Sequence, residues 1–136
     1  MNPFSWKMST LGLSLLAGLG VVFCSSGAEA ASIGFHNHLK KNIYVEAVSI
    51  VRNGKVFRDR PLLINPGKVG WHMNVPPGNR VIYIYDANPP VRLLYRNAIG
   101  VGAQNLFFAV QPAQPVRGAP RATLVPAKPP KGAMGR

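Results

Sequence analysis

Pro66-Gly67-Lys68-Val69-Gly70-Trp71-His72-Met73-Asn74-Val75-Pro76-Pro77-Gly78-Asn79-Arg80-Val81-Ile82-Tyr83-Ile84-Tyr85-Asp86 is the stretch on which the fold turns. Pro66-Gly67 and Pro76-Pro77-Gly78 are turn signals, because proline presets φ and glycine accepts positive φ. Between them, residues 68–75 alternate. Val69, Trp71, Met73 and Val75 share one face, and Lys68, Gly70, His72 and Asn74 share the other, which is the period of a strand with one side against a core. The second arm, Val81-Ile82-Tyr83-Ile84-Tyr85, is apolar or amphipathic at every position and suits a central strand covered on both sides.

Working outward, residues 32–39 read as a strand with Ile33, Phe35 and Leu39 on one face and His36 and His38 on the other. Residues 43–51 are β-branched but change face midway, so a bulge near Glu46 or Ala47 is expected. Asn53-Gly54 predicts a type I′ hairpin turn joining residues 49–51 to 56–58, since both central residues must take positive φ. Further strands are expected at residues 62–64, 91–95 and 106–110, and the glycine-rich residues 98–104 read as a loop or a bulged edge strand. No stretch keeps helical periodicity over three turns. Turn signals recur at the ~8 to 12 residue spacing of all-β domains. The expected fold is a small antiparallel β-sandwich of about seven or eight short strands, with a small open barrel as the alternative.

The two ends read differently from the middle. Residues 1–30 have the form of a signal peptide: Lys7, an apolar run over residues 11–23, and Ala28-Glu29-Ala30 as the site of cleavage after Ala30. The apolar run is shorter than the ~17 to 25 residues of a membrane span. Lipidation at Cys24 is the alternative processing, opposed by the bulk of Phe23 before it. Cys24 is the single cysteine, so the processed chain would have no disulfide and would rely on burial alone. Residues 31–111 then form one domain. Residues 112–136, rich in Pro, Gly, Ala and Arg/Lys without an acidic residue, are expected to be a disordered basic tail. Thr123-Leu124-Val125 would add at most a short edge strand against its flanking prolines.

Chemistry-bearing residues are sparse. His36 and His38 lie on one strand face about 7 Å apart by strand geometry, and His72 lies on the non-core face of its own strand, so His36, His38 and His72 are the candidate ligands of copper or zinc. The competing reading is three solvated histidines, because no thiolate or carboxylate is near them in sequence. Glu46 and Asp86 are the one conceivable carboxylate pair for glycosidase-like acid–base work; as single residues they read as a strand and a turn position. There is no nucleophile elbow and no phosphate loop, so no catalytic residue and no cofactor is assigned.

The charge is more telling. The chain carries a formal +12 at pH 7, which attracts polyanions in a salt-dependent way. Lys40, Lys41, Arg52, Lys55, Arg58 and Arg60 are the candidate polyanion-binding set, with Tyr44, Trp71, Tyr83, Tyr85 and Tyr95 available for stacking. In an exported protein the partner would be an acidic polysaccharide or an anionic envelope surface rather than nucleic acid. The same charge would also serve solubility alone. Nothing in the sequence fixes an oligomeric state.

Through Pro66-Gly67-Lys68, Trp71, Val75-Pro76-Pro77-Gly78 and Tyr83-Ile84-Tyr85-Asp86, the chain resembles small exported bacterial proteins of uncharacterised function. Its Val-Pro-Pro-Gly turn before an aromatic strand is similar to surface-layer and carboxypeptidase-regulatory-like sandwich modules. The resemblance implies a β-sandwich that binds or adapts and carries no catalytic residue over. The resulting expectation is a non-catalytic, exported, envelope-associated binding or structural module. The alternative is a periplasmic copper or zinc protein.

Overall fold

The computed structural model describes residues 30–50 and 54–133. The segment expected to be a signal peptide, including Cys24 but apart from Ala30, lies outside the described residues, as do Arg52 and Asn53. The strands in chain order are β1 Ala31–Asn37, β2 Ile43–Ile50, β3 Val56–Arg58, β4 Leu62–Ile64, β5 Val69–Val75, β6 Gly78–Asp86, β7 Arg92–Val101, β8 Leu106–Val116 and β9 Ala119–Pro126. They form a four-stranded sheet ordered β5-β1-β8-β9 and a five-stranded sheet ordered β3-β2-β6-β7, in which β4 also pairs with β2. The all-β sandwich is as expected, and neither sheet closes into a barrel.

Sequence pattern accounts for most of this. On β2 the residues Ile43, Val45 and Ala47 are fully buried, and on β6 Ile82 and Ile84 meet them from the neighbouring strand. From the other sheet, Ile33, Phe35, Val75 and Val110 close the same core. Phe35 is its largest fully buried side chain, and truncation to alanine would cost about 3–5 kcal/mol. β2 and β3 pair as a hairpin, with Val48 opposite Arg58, Ser49 opposite Phe57 and Ile50 opposite Val56; the expected type I′ turn falls partly outside the described residues, and this register is one residue away from the one a two-residue turn at Asn53-Gly54 would give. All pairings are antiparallel except β1 with β8. A parallel pair needs a long connection between its strands, and here the whole second sheet intervenes.

Three expectations are corrected, and one left open is decided. First, β2 has no bulge. Its register with β6 runs unbroken from Ile43↔Asp86 to Ser49↔Arg80, and Tyr44 and Val48 lie on the outer face, half-buried or buried by neighbours there. The mixed pattern marks a strand covered on both sides.

Second, the faces of β5 are reversed over most of its length. His72 pairs with Ile33 and Trp71 with Gly34, so His72 faces the core and Trp71 faces outward. The register then shifts between Ala31 and Ile33, where Asn74 adopts φ 56, and the extra residue returns Val75 to the core. Asparagine accepts that left-handed conformation more readily than most residues. A bulge flips every side chain beyond it.

Third, the expected disordered tail is, as far as Pro126, the continuation of the second sheet's partner. Strand β8 runs on to Val116, and β9 returns antiparallel to it, with Val110 opposite Leu124 and Gln111 opposite Thr123. Gly118, at φ 74, supplies the turn, beside Arg117 at φ 51. Proline is tolerated because β9 is an edge strand, where a missing donor need not break a ladder.

Of the two readings left open for the glycine-rich stretch, the strand is the one observed: residues 98–101 belong to the ten-residue β7 at the sheet edge. A register shift near Tyr85 turns Leu94 into the core while Val91 and Leu93 stay exposed.

One polar residue holds the corner where the two sheets meet. Asn37 is fully buried; its Nδ2 donates to the Lys41 carbonyl at 2.8 Å and the Ile64 carbonyl at 3.0 Å, and its Oδ1 accepts from Leu39 N at 2.9 Å. A single amide thereby ties β1 to the β1–β2 loop and to the end of β4, with every polar atom matched, as a buried polar group requires.

Candidate functional site

The outer face of the five-stranded sheet is built from cross-strand rows. Leu63, Tyr44, Tyr85 and Leu93 stand side by side across β4, β2, β6 and β7. The next row is Glu46, Tyr83 and Arg96. Alternation forces this arrangement: Ile43, Val45, Ile82 and Ile84 are drawn inward, so the residues between them must point out. The Tyr83 and Tyr85 rings are nearly parallel, 7° apart with centroids 6.3 Å from one another. The Arg96 guanidinium lies 5.5 Å from the Tyr83 ring centre, within reach of a cation–π contact.

All three tyrosines remain half-exposed. At the Tyr44–Tyr85 end the face dips into a cleft of about 260 Å³ lined by Tyr44, Glu46, Pro61, Tyr85 and Val91. That is below the ~300–1,000 Å³ of pockets that enclose a drug-sized ligand. Burial first, then the nearby Glu46 and Tyr83, raise the Tyr85 phenol above its ordinary range. It therefore stays a neutral donor and acceptor at physiological pH.

The charges fall into a simple pattern. Each of the three described acids is matched: Asp86 to Lys41 at 2.8 Å, Glu46 to Arg58 at 3.4 Å, and Asp59 to Arg80. The Lys41 hydrogen bond, helped by Asn88 N, holds the Asp86 carboxyl below the usual range. No other described lysine or arginine has an ion pair with an acid among the described residues: Lys40, Lys55, Arg60, Lys68, Arg92 and Arg96, and toward the C-terminus Arg117, Arg121, Lys128 and Lys131, carry the excess positive charge.

The polyanion set named from sequence is only partly assembled. Arg58 lies on the tyrosine face through its pairing with Val48. Lys55 and Arg60 flank the same sheet edge and are exposed. Lys41 is engaged by Asp86, and Lys40 sits with it in the β1–β2 loop at the other end of β2. Arg52 lies outside the described residues. Arg96, the cation in direct contact with a tyrosine, was legible only as one of many basic residues.

The three histidines do not converge. His36 and His38 meet, with Nδ1 of His36 and Nε2 of His38 at 3.0 Å and ring centres at 4.1 Å, while His36 Nε2 lies 3.3 Å from the Gly67 carbonyl. His72 is on the opposite face of the sheet, buried, edge-on to Phe35 at 5.7 Å. A three-histidine metal centre is therefore not formed, and the reason is the reversed face of β5. No group of three or more potential ligands stands together among the described residues.

Burial lowers the His72 imidazole below its ordinary value, opposed in part by the backbone of Arg60. The Glu46–Asp86 pair is not assembled either. Glu46 opposes Tyr83 on the outer face, and Asp86 opposes Ile43, whose side chain is in the core.

No family model matches the chain, and no curated protein matches it. Among solved structures it is similar in part to pneumolysin, at 11% identity and a TM-score of 0.38, over 71% of this chain and 23% of that one. It is likewise similar to the human-specific toxin intermedilysin, at 14% identity and a TM-score of 0.38, over 72% of this chain and 23% of that one. The chain thus spans under a quarter of the length of either toxin. No helix among the described residues is long and apolar enough to cross a membrane.

Proposed function

We propose that the chain is a non-catalytic, exported binding module that lays an acidic polysaccharide across the outer face of its five-stranded sheet. The observation that carries this reading is the parallel Tyr83–Tyr85 pair, with Tyr44 beside it and Arg96 and Arg58 in the adjoining positions. The apolar C–H faces of sugar rings stack on exposed aromatic rings, and the carboxylates or sulfates between them pair with guanidinium groups. Strand residues of alternate rows are ~7 Å apart, so successive tyrosines address neighbouring parts of one extended chain. The uncompensated charge elsewhere draws the polymer in before contact.

The test is calorimetric titration of the full chain with polygalacturonate, a uronic-acid polymer, and with neutral dextran, at low and high salt. Binding of the acidic polymer alone, weakening steeply with salt and lost in Tyr83→Ala/Tyr85→Ala, is expected. Equal affinity for both polymers, or affinity untouched by the double substitution, overturns the proposal.

A further inference from the structure

We propose that His36 and His38 form a two-histidine site for Cu(II) on the outer face of the four-stranded sheet, separate from the tyrosine face and independent of its function. Two nitrogens each ~2.0 Å from one ion lie about 2.8 Å apart at a right angle and about 3.3 Å apart at a tetrahedral one. Nδ1 of His36 and Nε2 of His38 are already 3.0 Å apart, so the two nitrogens stand at a chelating separation, and turning the rings, the His38 ring being exposed, directs both lone pairs at one ion.

The tautomer is prepared as well. His36 Nε2 faces the Gly67 carbonyl at 3.3 Å, and an N–H donating there leaves the lone pair on Nδ1, the nitrogen turned to His38. A backbone carbonyl orienting a ligating histidine through its other ring nitrogen is the usual outer-shell device. Phe107, 6.4 Å from the His36 ring, and the paired strands fix the rest of that ring's position.

In the empty state the short N···N contact is an N–H of one neutral imidazole donating to the other. On binding, the His38 proton moves to its Nδ1, so both facing nitrogens offer lone pairs and the two neutral rings keep their protons without a redox step. Two protein nitrogens with open positions for water suit tetragonal Cu(II). Among divalent first-row ions it also binds nitrogen ligands most strongly. Lys40 lines the same cleft as His38, so its charge works against the ion, and added salt should not weaken the binding.

The experiment is titration of the chelator-stripped full chain with Cu(II) alone, followed by calorimetry and by electron paramagnetic resonance. One saturable site and hyperfine splitting from two nitrogens are expected. His38→Gln, at an exposed position, should weaken Cu(II) roughly 10- to 100-fold, the scale on which even outer-shell losses act, while His72→Phe should leave it unchanged. Absence of saturation, or Cu(II) affinity unaltered in both His36→Ala and His38→Gln with the fold intact by circular dichroism, overturns the site.

Discussion

The two outward faces of the sandwich carry aromatic residues at similar density, yet they spend them differently. On the four-stranded sheet, Trp71 and Phe107 flank Gly34 from either side, with ring centres 5.5 Å apart. A Cβ at Gly34 would lie 2.5 Å from Phe107 and 2.7 Å from Trp71; the rings close over the space a side chain would fill. On the five-stranded sheet, the tyrosines stand beside one another and beside charged residues, and no glycine lets them fold over the backbone. The first face packs its rings over a glycine, with Phe107 buried and Trp71 half-buried; the second stands half-buried tyrosines beside charged residues. Aromatic content therefore says little about binding until the residue in the neighbouring strand is known.

The most severe way to break the comparison is to end the chain after Gln111. Residues 112–126 complete β8 and supply β9, so truncation removes an edge of the four-stranded sheet and uncovers Val110 and its neighbours. Loss of the cooperative transition in thermal denaturation followed by circular dichroism is expected. A truncated chain that still melts sharply, with near-native signal, would show that the first face does not need β9.

Next in size is Gly34→Ala, which forces the two rings apart and should cost roughly 1–3 kcal/mol, as overpacking does. Chemical denaturation measures it. Polysaccharide binding below the transition should be unchanged, because the tyrosine face is on the other sheet. Tyr83→Ala should do the converse: little change in stability, but affinity for polygalacturonate lower by roughly 5- to 150-fold, from the ~1–3 kcal/mol of an aromatic stack.

Between the two faces lies His72, which predicts a pH dependence. The unfolded chain takes up a proton near the ordinary imidazole value of about 6.5, whereas burial makes the folded ring do so only at lower pH. Acid thus favours the unfolded state. The contribution of neutral His72 is complete above about pH 6.5 and declines as pH falls below it, until the folded ring is itself protonated. His72→Phe, which keeps a ring edge-on to Phe35, should flatten denaturation midpoints across that window. Midpoints of the two proteins falling in parallel would remove His72 as the cause.

What was legible in the sequence follows from the same physics. Alternation revealed β1, and continuous apolarity revealed β6; on β2 alternation left the face open and suggested a bulge, because Val48 is buried on the outer face as well. It misassigned β5 because Trp71 and Met73 look like core residues, and the register shift that turns them outward is created by Asn74, which carries no hydrophobic signal. It missed β9 because Pro120 and Pro126 argue against a strand only where a strand has two neighbours. Of the candidate site, the tyrosines and Arg58 were visible as residue types. Their assembly into one face rests on which strands neighbour β2, and that is a property of long-range pairing.

The smallest expected effect comes from Glu46→Gln, and it is also the most diagnostic for the open face. Glu46 sits in the row of Tyr83 and Arg96 and pairs with Arg58 across a largely exposed 3.4 Å contact, so its charge both occupies one guanidinium and repels an incoming acidic sugar. Neutralising it should lower stability by less than about 1 kcal/mol, since exposed pairs contribute ~0.2–1 kcal/mol. By the same scale it should raise affinity for polygalacturonate roughly 1.4- to 5-fold. Glu46 is also one of the charges holding the Tyr85 phenol above its ordinary range, after burial itself, so an alkaline absorbance titration should show Tyr85 ionising at lower pH in the variant. The three readouts separate the possible origins of any gain. Tighter binding together with the earlier tyrosine ionisation places the polymer beside Tyr85 and Arg58. An earlier ionisation with unchanged affinity would mean that the polymer is held by the positive field elsewhere on the surface, and the open tyrosine face would lose its role.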